Sequence, residues 1–137
     1  MRVHTNALVA RLQTVVPLAT KTFVSTAPSG TVAPYVLVHP ADGVDSAERL
    51  AGPYSTQRPR FTLHFVGSSY DNAQKVVELA KAKFVDRGTA IQMSVPGELS
   101  QGLQWSSPQP AQADNDVTPP LVFCTVEVSW YSDLLAV

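Results

Sequence analysis

The chain has 137 residues, of which 45% are hydrophobic and 15% charged, and its formal net charge is −1. This length fits a single domain, residues 1–137, that can bury a core without metals or disulfides. Ten basic and eleven acidic residues leave no electrostatic footprint for nucleic acid. The charged fraction is below the usual quarter or so of a soluble domain, which favours a surface that a partner covers.

The cysteine content and the N-terminus narrow the class further. Cys124 is the only cysteine, which excludes an internal disulfide and a multi-cysteine zinc site, and its apolar neighbours predict a core residue. Arg11 and Gln13 interrupt the N-terminal stretch MRVHTNALVARLQTVV, so it lacks the apolar region of a secretory signal. No apolar run approaches the length of a membrane span. We therefore expect a soluble protein, made in a cytoplasm, with no membrane partner.

The first third of the chain predicts a helix, two strands and a loop. Thr5 is expected to cap a short helix that Pro17 ends. The apolar face of this helix is expected to comprise Leu8, Leu12 and Val15 or Val16. The β-branched segment 21–26 and the segment 35–39 predict strands. The stretch 41–59 is rich in proline and glycine and predicts a long irregular loop.

Residues 60–87 carry the clearest pattern in the chain. Apolar and polar residues alternate over 60–65, which is the period of a half-buried strand. A tight turn begins at Gly67, and Ser69 or Asp71 can cap the helix that follows. Gly88 fits the C-terminal end of that helix. The apolar face of the helix is expected to comprise Ala73, Val76, Val77, Ala80 and Phe84.

The last third predicts two strands separated by a second long loop. Segment 90–95 predicts a strand, residues 96–120 predict a loop with one apolar island, and 121–131 predicts the longest strand. The element order α-β-β-β-α-β-β predicts an α+β fold in one domain, with a mixed, mostly antiparallel sheet and two helices packed on one face.

The two long loops are the predicted contact regions. Loops of this length in a small domain are functional or disordered, or they hide an element that the pattern missed. Their aromatic, basic and apolar residues are candidates for a subunit or partner interface, namely Arg49, Tyr54, Arg58, Leu103 and Trp105. Asp114 and Asp116 are candidate acidic residues of the second loop.

Catalytic and metal motifs are absent from the sequence. His4, His39 and His64 lie in three separate elements, without the spacing that places two metal ligands on one face. The acidic residues of 42–48 lack the ligand pattern of a calcium loop, and no nucleophile motif is present. The sequence therefore predicts no enzyme, no metal and no cofactor. The alternative is a small enzymatic or ligand-binding α/β domain with a pocket around His39, His64 or Glu127.

The order and residue composition of the segments resemble those of a known protein family. A short helix (NALVARLQTVVP) is followed by a strand that begins Pro-Tyr-Val (APYVLVHP) and a loop with glycine and arginine (ERLAGPYSTQRPR). A strand, turn and long helix come next (FTLHFVGSSYDNAQKVVELAKAKFVDRG), and a β-rich tail closes the chain. In this order the chain resembles the tail-terminator, or tail-completion, proteins of long-tailed bacteriophages.

The resemblance implies a structural virion protein at the head-proximal end of a phage tail. Members of this family form a hexameric ring on the last ring of the tail tube, stop its polymerisation and offer a surface for head joining. The implied partners are copies of the same chain, the tail-tube protein and a head-completion or connector protein. DNA would pass through the lumen without specific binding, and Asp114 and Asp116 are compatible with such a lumen. Another head-to-tail joining component, a head-closure or neck protein, is the alternative within the virion.

Overall fold

One mixed sheet of eight strands and two α-helices form the fold, which confirms the predicted α+β class. The structure is a computed structural model that describes residues 2–45, 56–107, 109–114 and 120–134. The helices are α1 (Arg2–Leu12) and α2 (Tyr70–Lys81), and a short 3-10 helix covers Val16–Leu18. The strands are β1 (Thr22–Val24), β2 (Tyr35–Asp45), β3 (Thr56–Gly67), β4 (Val85–Asp86), β5 (Thr89–Ala90), β6 (Glu98–Ser100), β7 (Gln104–Ser106), β8 (Gln112–Asp114), β9 (Leu121–Ser129) and β10 (Ser132–Leu134).

Strand β3 is the centre of the large sheet. One of its edges pairs with β2, and β2 pairs in turn with β1 in parallel. The other edge of β3 pairs first with β9 and then with β10. The short strands β7 and β8 pair with the outer edge of β9, and β6 pairs with β10. All pairs except β1–β2 are antiparallel, so the predicted mixed, mostly antiparallel sheet is confirmed.

Both helices pack on one face of the sheet. Alternate residues of β2, β3 and β9 point into one buried cluster with residues of α1 and α2, as period-two strands and amphipathic helices require. The cluster includes Leu8, Leu12, Val36, Val38, Phe61, Leu63, Phe65, Val76, Ala80, Phe84, Val126 and Trp130. Cys124 is buried beside it, and burial raises the pKa of its thiol, in agreement with the predicted core role.

The strand, turn and helix predicted over residues 60–87 are confirmed in their main features. Ser69 caps α2, because its side-chain oxygen accepts a hydrogen bond from the backbone N–H of Asn72 at 3.2 Å. Gly67 is required at the turn, because a Cβ at this position would lie 2.5 Å from the backbone nitrogen of Ala73. Phe84 is fully buried, although α2 ends at Lys81.

Several predicted boundaries in the first half are wrong. Helix α1 begins at Arg2, ahead of the cap expected at Thr5, and ends at Leu12, before Pro17. Of the two alternatives Val15 and Val16, Val15 is the buried one. Strand β2 continues through Pro40 to Asp45, with an irregular register between Ala41 and Val44, and β3 begins at Thr56. The predicted loop 41–59 is therefore strand at both ends, and residues 46–55 lie outside the described part.

The second half contains elements that periodicity did not predict. Gly88 does not end α2 but forms, with Arg87, the turn of the β4–β5 hairpin, where both residues have positive φ. The strand predicted over 90–95 reduces to Thr89–Ala90 and an isolated bridge at Gln92. The predicted loop 96–120 contains β6, β7 and β8, each too short to show a period of two. The strand predicted over 121–131 ends at Ser129, and β10 follows it.

Candidate interaction surface

The side of the sheet away from the helices is the candidate functional surface, here named the open face. It is formed by the alternate residues that do not enter the core, because successive strand residues point to opposite sides. Within the described residues no helix covers it. On the three long strands it comprises Tyr35, Leu37, His39, Arg58, Arg60, Thr62, His64, Val66, Phe123, Thr125, Glu127 and Ser129.

A depression of about 180 Å³ lies on the open face and is named here the arginine depression. Its polar lining comes from β3, β9 and β7, which the register places side by side, since Arg60 is opposite Ser129 and Ser129 is opposite Gln104. The residues that line it are Ala41, Arg58, Arg60, Phe61, Thr62, Gln104, Ser106, Glu127, Val128 and Ser129. Hydrogen-bonding groups dominate this surface.

Arg58 is held on the open face by weak contacts. One of its terminal nitrogens, Nη2, is 3.5 Å from both Gln104 Oε1 and Ser129 Oγ, which is the long limit for a hydrogen bond. Its guanidinium carbon lies 5.3 Å from the centre of the Tyr131 ring, a cation–π distance. The Nε atom is buried and has no hydrogen-bond partner. These contacts orient the side chain, but its Nε–H has no acceptor.

A histidine pair forms the second feature of the open face. The rings of His39 and His64 lie 4.8 Å apart on adjacent strands, and the ring of Phe123 lies 5.5 Å from that of His64. Burial, and secondly the charge of His39, lower the pKa of His64. Glu127 lines the arginine depression instead, and neither histidine does. Of the three residues of the enzymatic alternative, only Glu127 lines the arginine depression.

The other predicted contact residues have different surroundings. Trp105 is half-buried, and its ring lies 6.1 Å from that of Phe65 and 5.8 Å from that of Phe84. Leu103 is only 1% exposed and packs inside the subunit, so it offers no surface in this chain. Asp114 ends β8 opposite Leu121 and is partly exposed. Three further candidates, Arg49, Tyr54 and Asp116, lie outside the described residues.

A buried polar network joins α1, β6 and β10, and sequence reasoning missed it. The His4 ring nitrogen Nε2 is 2.8 Å from Glu98 Oε1, and the two side chains are 4% and 6% exposed. The Ser132 hydroxyl donates to the same carboxylate oxygen at 2.7 Å. Because that hydrogen is used, Ser100 must donate to Ser132 across their 2.7 Å contact. The only local signal for the burial of His4 was its position four residues before Leu8, on the same face of α1.

This network is structural and differs from a catalytic triad. In a triad the imidazole lies between the carboxylate and the hydroxyl, so that it can take the hydroxyl proton. Here the carboxylate of Glu98 lies between His4 and Ser132, and Ser132 is 1% exposed. The hydroxyl is buried, so a substrate could not reach it. The network instead fixes the N-terminal helix against the last strand.

Other features of the described parts offer no catalytic chemistry. A groove of about 680 Å³ lies between segment 25–34 and the sheet, and its lining contains no Asp, Glu, His, Cys, Lys or Arg side chain. No three His, Cys, Asp or Glu side chains are grouped to hold a metal ion across the ranges that the structure describes. Neither α1 nor α2, nor any other described helix, is long and apolar enough to cross a membrane.

Comparison with known proteins finds similarity in fold but not in sequence. No protein-family model matches the chain, and no curated protein sequence matches it significantly. Among the solved structures that match is a chain of "Virion of native gene transfer agent (GTA) particle", with a TM-score of 0.65 and 12% sequence identity. The match covers 93% of this chain and 92% of that one. The chain therefore shares the fold of a virion component over nearly its whole length.

Proposed function

We propose that the chain is a structural protein of a phage-like virion and, within it, the tail terminator. One observation carries the proposal: the fold matches a chain of a gene transfer agent virion end to end, with 93% and 92% coverage. Coverage of that extent is expected when two chains share one architectural unit. The order of the segments, which resembles that of tail terminators, selects this role among the virion components.

The surface of the subunit supports an assembled state. A ring needs two different patches that complement each other around a rotation axis. The open face is one patch that no helix covers among the described residues. Other large apolar side chains are exposed elsewhere on the molecule, namely Val16, Val32, Tyr70 and Leu99. Single exposed apolar residues are ordinary, but their number here is consistent with surfaces that other chains cover.

The proposed assembly is a ring of six copies at the head-proximal end of the tail. One side of the ring contacts the tail-tube protein, and the other offers a surface to a head-completion or connector protein. The chain works by binding and not by catalysis, and it needs no cofactor. DNA passes the lumen without specific contacts, which suits a chain with ten basic and eleven acidic residues. Arg58, Trp105 and Asp114 are the described residues proposed for contacts or for the lumen.

Native mass spectrometry and light scattering test the ring, with and without the cognate tail-tube protein. We expect a hexamer that forms alone or on the tube, and tubes that stop growing when the protein is added during polymerisation. A strict monomer that neither binds tube protein nor limits tube length would contradict the proposal. Cryo-electron microscopy of the particle separates the alternative, because a head-closure or neck protein contacts the portal side and leaves the tube end free.

Substitution of Arg58 by alanine tests the contact region. The variant should lower ring assembly while leaving the melting temperature of the subunit unchanged, because Arg58 makes only weak contacts within its own chain. Lys75→Ala is the matched control, since Lys75 is an exposed cation on α2 in the helical layer. Equal loss of assembly and melting temperature in Arg58→Ala would indicate a folding role instead.

A further inference from the structure

Two cations on the open face lack anionic partners among the described side chains. Arg58 and Arg60 are both outward-facing residues of β3, two positions apart, and both line the arginine depression. Among the side chains that the structure describes, neither guanidinium has a carboxylate oxygen within ion-pair distance. Glu127 is the single acidic residue among the described lining residues. These described residues, two arginines and one glutamate, carry a formal charge of +1, which one negative charge would neutralise.

The donor set of Arg58 indicates the geometry of the missing partner. Its Nε–H is buried without an acceptor, and a buried donor left unpaired is costly. The guanidinium carbon also lies 5.3 Å from the centre of the Tyr131 ring. An acceptor that meets Nε and one terminal nitrogen together needs two oxygens in one plane, which is the shape of a carboxylate. Gln104 Oε1 and Ser129 Oγ approach this guanidinium only at 3.5 Å from Nη2, so that nitrogen can still take a closer acceptor.

The size and charge of the depression favour a carboxylate over a phosphate. A volume of about 180 Å³ corresponds to roughly six water molecules, which suits the end of one side chain and not a nucleotide. A phosphate monoester carries up to two negative charges at neutral pH, and Glu127 at the rim would repel it. Binding to nucleic acid also depends on neutralising several phosphates at once. Two arginines beside a glutamate do not provide that.

We propose that the arginine depression binds the carboxylate of an aspartate or glutamate side chain on a neighbouring protein chain. Arg58 receives the carboxylate through Nε and Nη, Arg60 adds the second positive charge, and the Gln104 amide and the Thr62 hydroxyl border the site. The identification of the neighbouring chain as a virion protein rests on the proposed function. The binding chemistry is a property of the isolated subunit and does not depend on the proposed function.

Nuclear magnetic resonance of the arginine side chains tests the site on the full chain. The Nε–H signals of Arg58 and Arg60 are followed while a blocked triglutamate peptide, sodium acetate, inorganic phosphate or duplex DNA is added at constant ionic strength. We expect the Arg58 signal to shift saturably with the peptide and with acetate, and phosphate and DNA to bind more weakly. Saturation with DNA at lower concentration than with the peptide would overturn the proposal, as would no saturable shift with either carboxylate.

Two variants distinguish the paired hydrogen bonding of Arg58 through Nε and Nη from its positive charge. R58K keeps the positive charge but removes Nε, so peptide affinity should fall about tenfold, the size expected for one charge-assisted hydrogen bond. R60Q should weaken binding by a similar factor, and Lys75→Ala should leave it unchanged. If R58K bound the peptide as tightly as the wild type, the proposed hydrogen bonding through Nε would be refuted. Melting temperatures of all three variants should match the wild type, which shows that they fold.

The outcome is independent of the ring experiment. Peptide binding in a chain that never assembles would leave the site in place and remove its virion partner. A ring that forms normally, in a chain that binds neither carboxylate, would remove the site and leave the proposed function in place.

Discussion

Substitution of Glu98 by alanine should destabilise the subunit strongly. The carboxylate is 6% exposed and accepts hydrogen bonds from two buried groups, Ser132 Oγ at 2.7 Å and His4 Nε2 at 2.8 Å. Alanine leaves both donors buried without an acceptor, and each unpaired donor costs about 1–3 kcal/mol. The sum for the two donors is about 2–6 kcal/mol.

Glu98→Gln is the matched control for this prediction. The glutamine oxygen can still accept from both Ser132 and His4, so the loss should be limited to the assistance of the charge, about 1–2 kcal/mol. Urea unfolding followed by tryptophan fluorescence measures both variants, and Trp130 is a suitable probe because its ring lies 6.0 Å from that of His4. The concentration must be one at which the protein is monomeric, since assembly would add to the apparent stability.

The result that refutes the reasoning is specific. A free energy of unfolding for Glu98→Ala within about 1 kcal/mol of the wild type would mean that water or rearrangement satisfies the two donors. Equal losses for Glu98→Ala and Glu98→Gln would show that the negative charge, and not the acceptor geometry, stabilises the network.

Three further predictions concern the turn, the open face and the core. Gly67→Ala should cost about 1–3 kcal/mol or more, because its Cβ would lie within 2.5–2.8 Å of backbone atoms of Ala73 that cannot swing aside; thermal melting measures the loss. The pKa of His64 is lowered by burial and by His39, so the unfolded chain binds a proton more readily. The free energy of unfolding should therefore fall as pH drops below about 6.5, and less steeply in His64→Asn. Phe84→Ala should cost about 3–5 kcal/mol in urea unfolding, because the ring is fully buried.

Each of these has an outcome that contradicts it. A melting temperature of Gly67→Ala equal to that of the wild type would show that the turn yields without cost. An unchanged pH slope in His64→Asn would place the titration on other groups. A loss below about 1 kcal/mol in Phe84→Ala would mean that the core collapses into the space of the ring.

The strand, turn and helix of residues 60–87 show how far local pattern reaches. The alternation around Phe61 and Leu63, the cap at Ser69 and the stripe from Ala73 to Phe84 were all predictable, since they depend on neighbours within one turn or two residues. Gly88 shows the limit of such reasoning. It fits a helix end by type and position, yet pairing between Val85 and Ala90 makes it part of a hairpin turn.

The short strands β6, β7 and β8 could not be predicted for a different reason. Each has three residues, which is too few to display a period, and each is held by pairing with β9 or β10. Leu103 and Trp105 were assigned to a surface loop for this reason, whereas Leu103 belongs to the core and Trp105 contacts it.

By itself the sequence determined the fold class, the clearest helix and its cap, and the faces of the long strands, because these follow from periodicity along the chain. Only the tertiary structure decided which distant side chains meet. His4 and Glu98 are 94 positions apart and Arg58 and Ser129 are 71 apart, yet each pair lies within hydrogen-bonding reach. Such contacts depend on strand register. A register shift of one residue would move every side chain of a strand to the other face of the sheet.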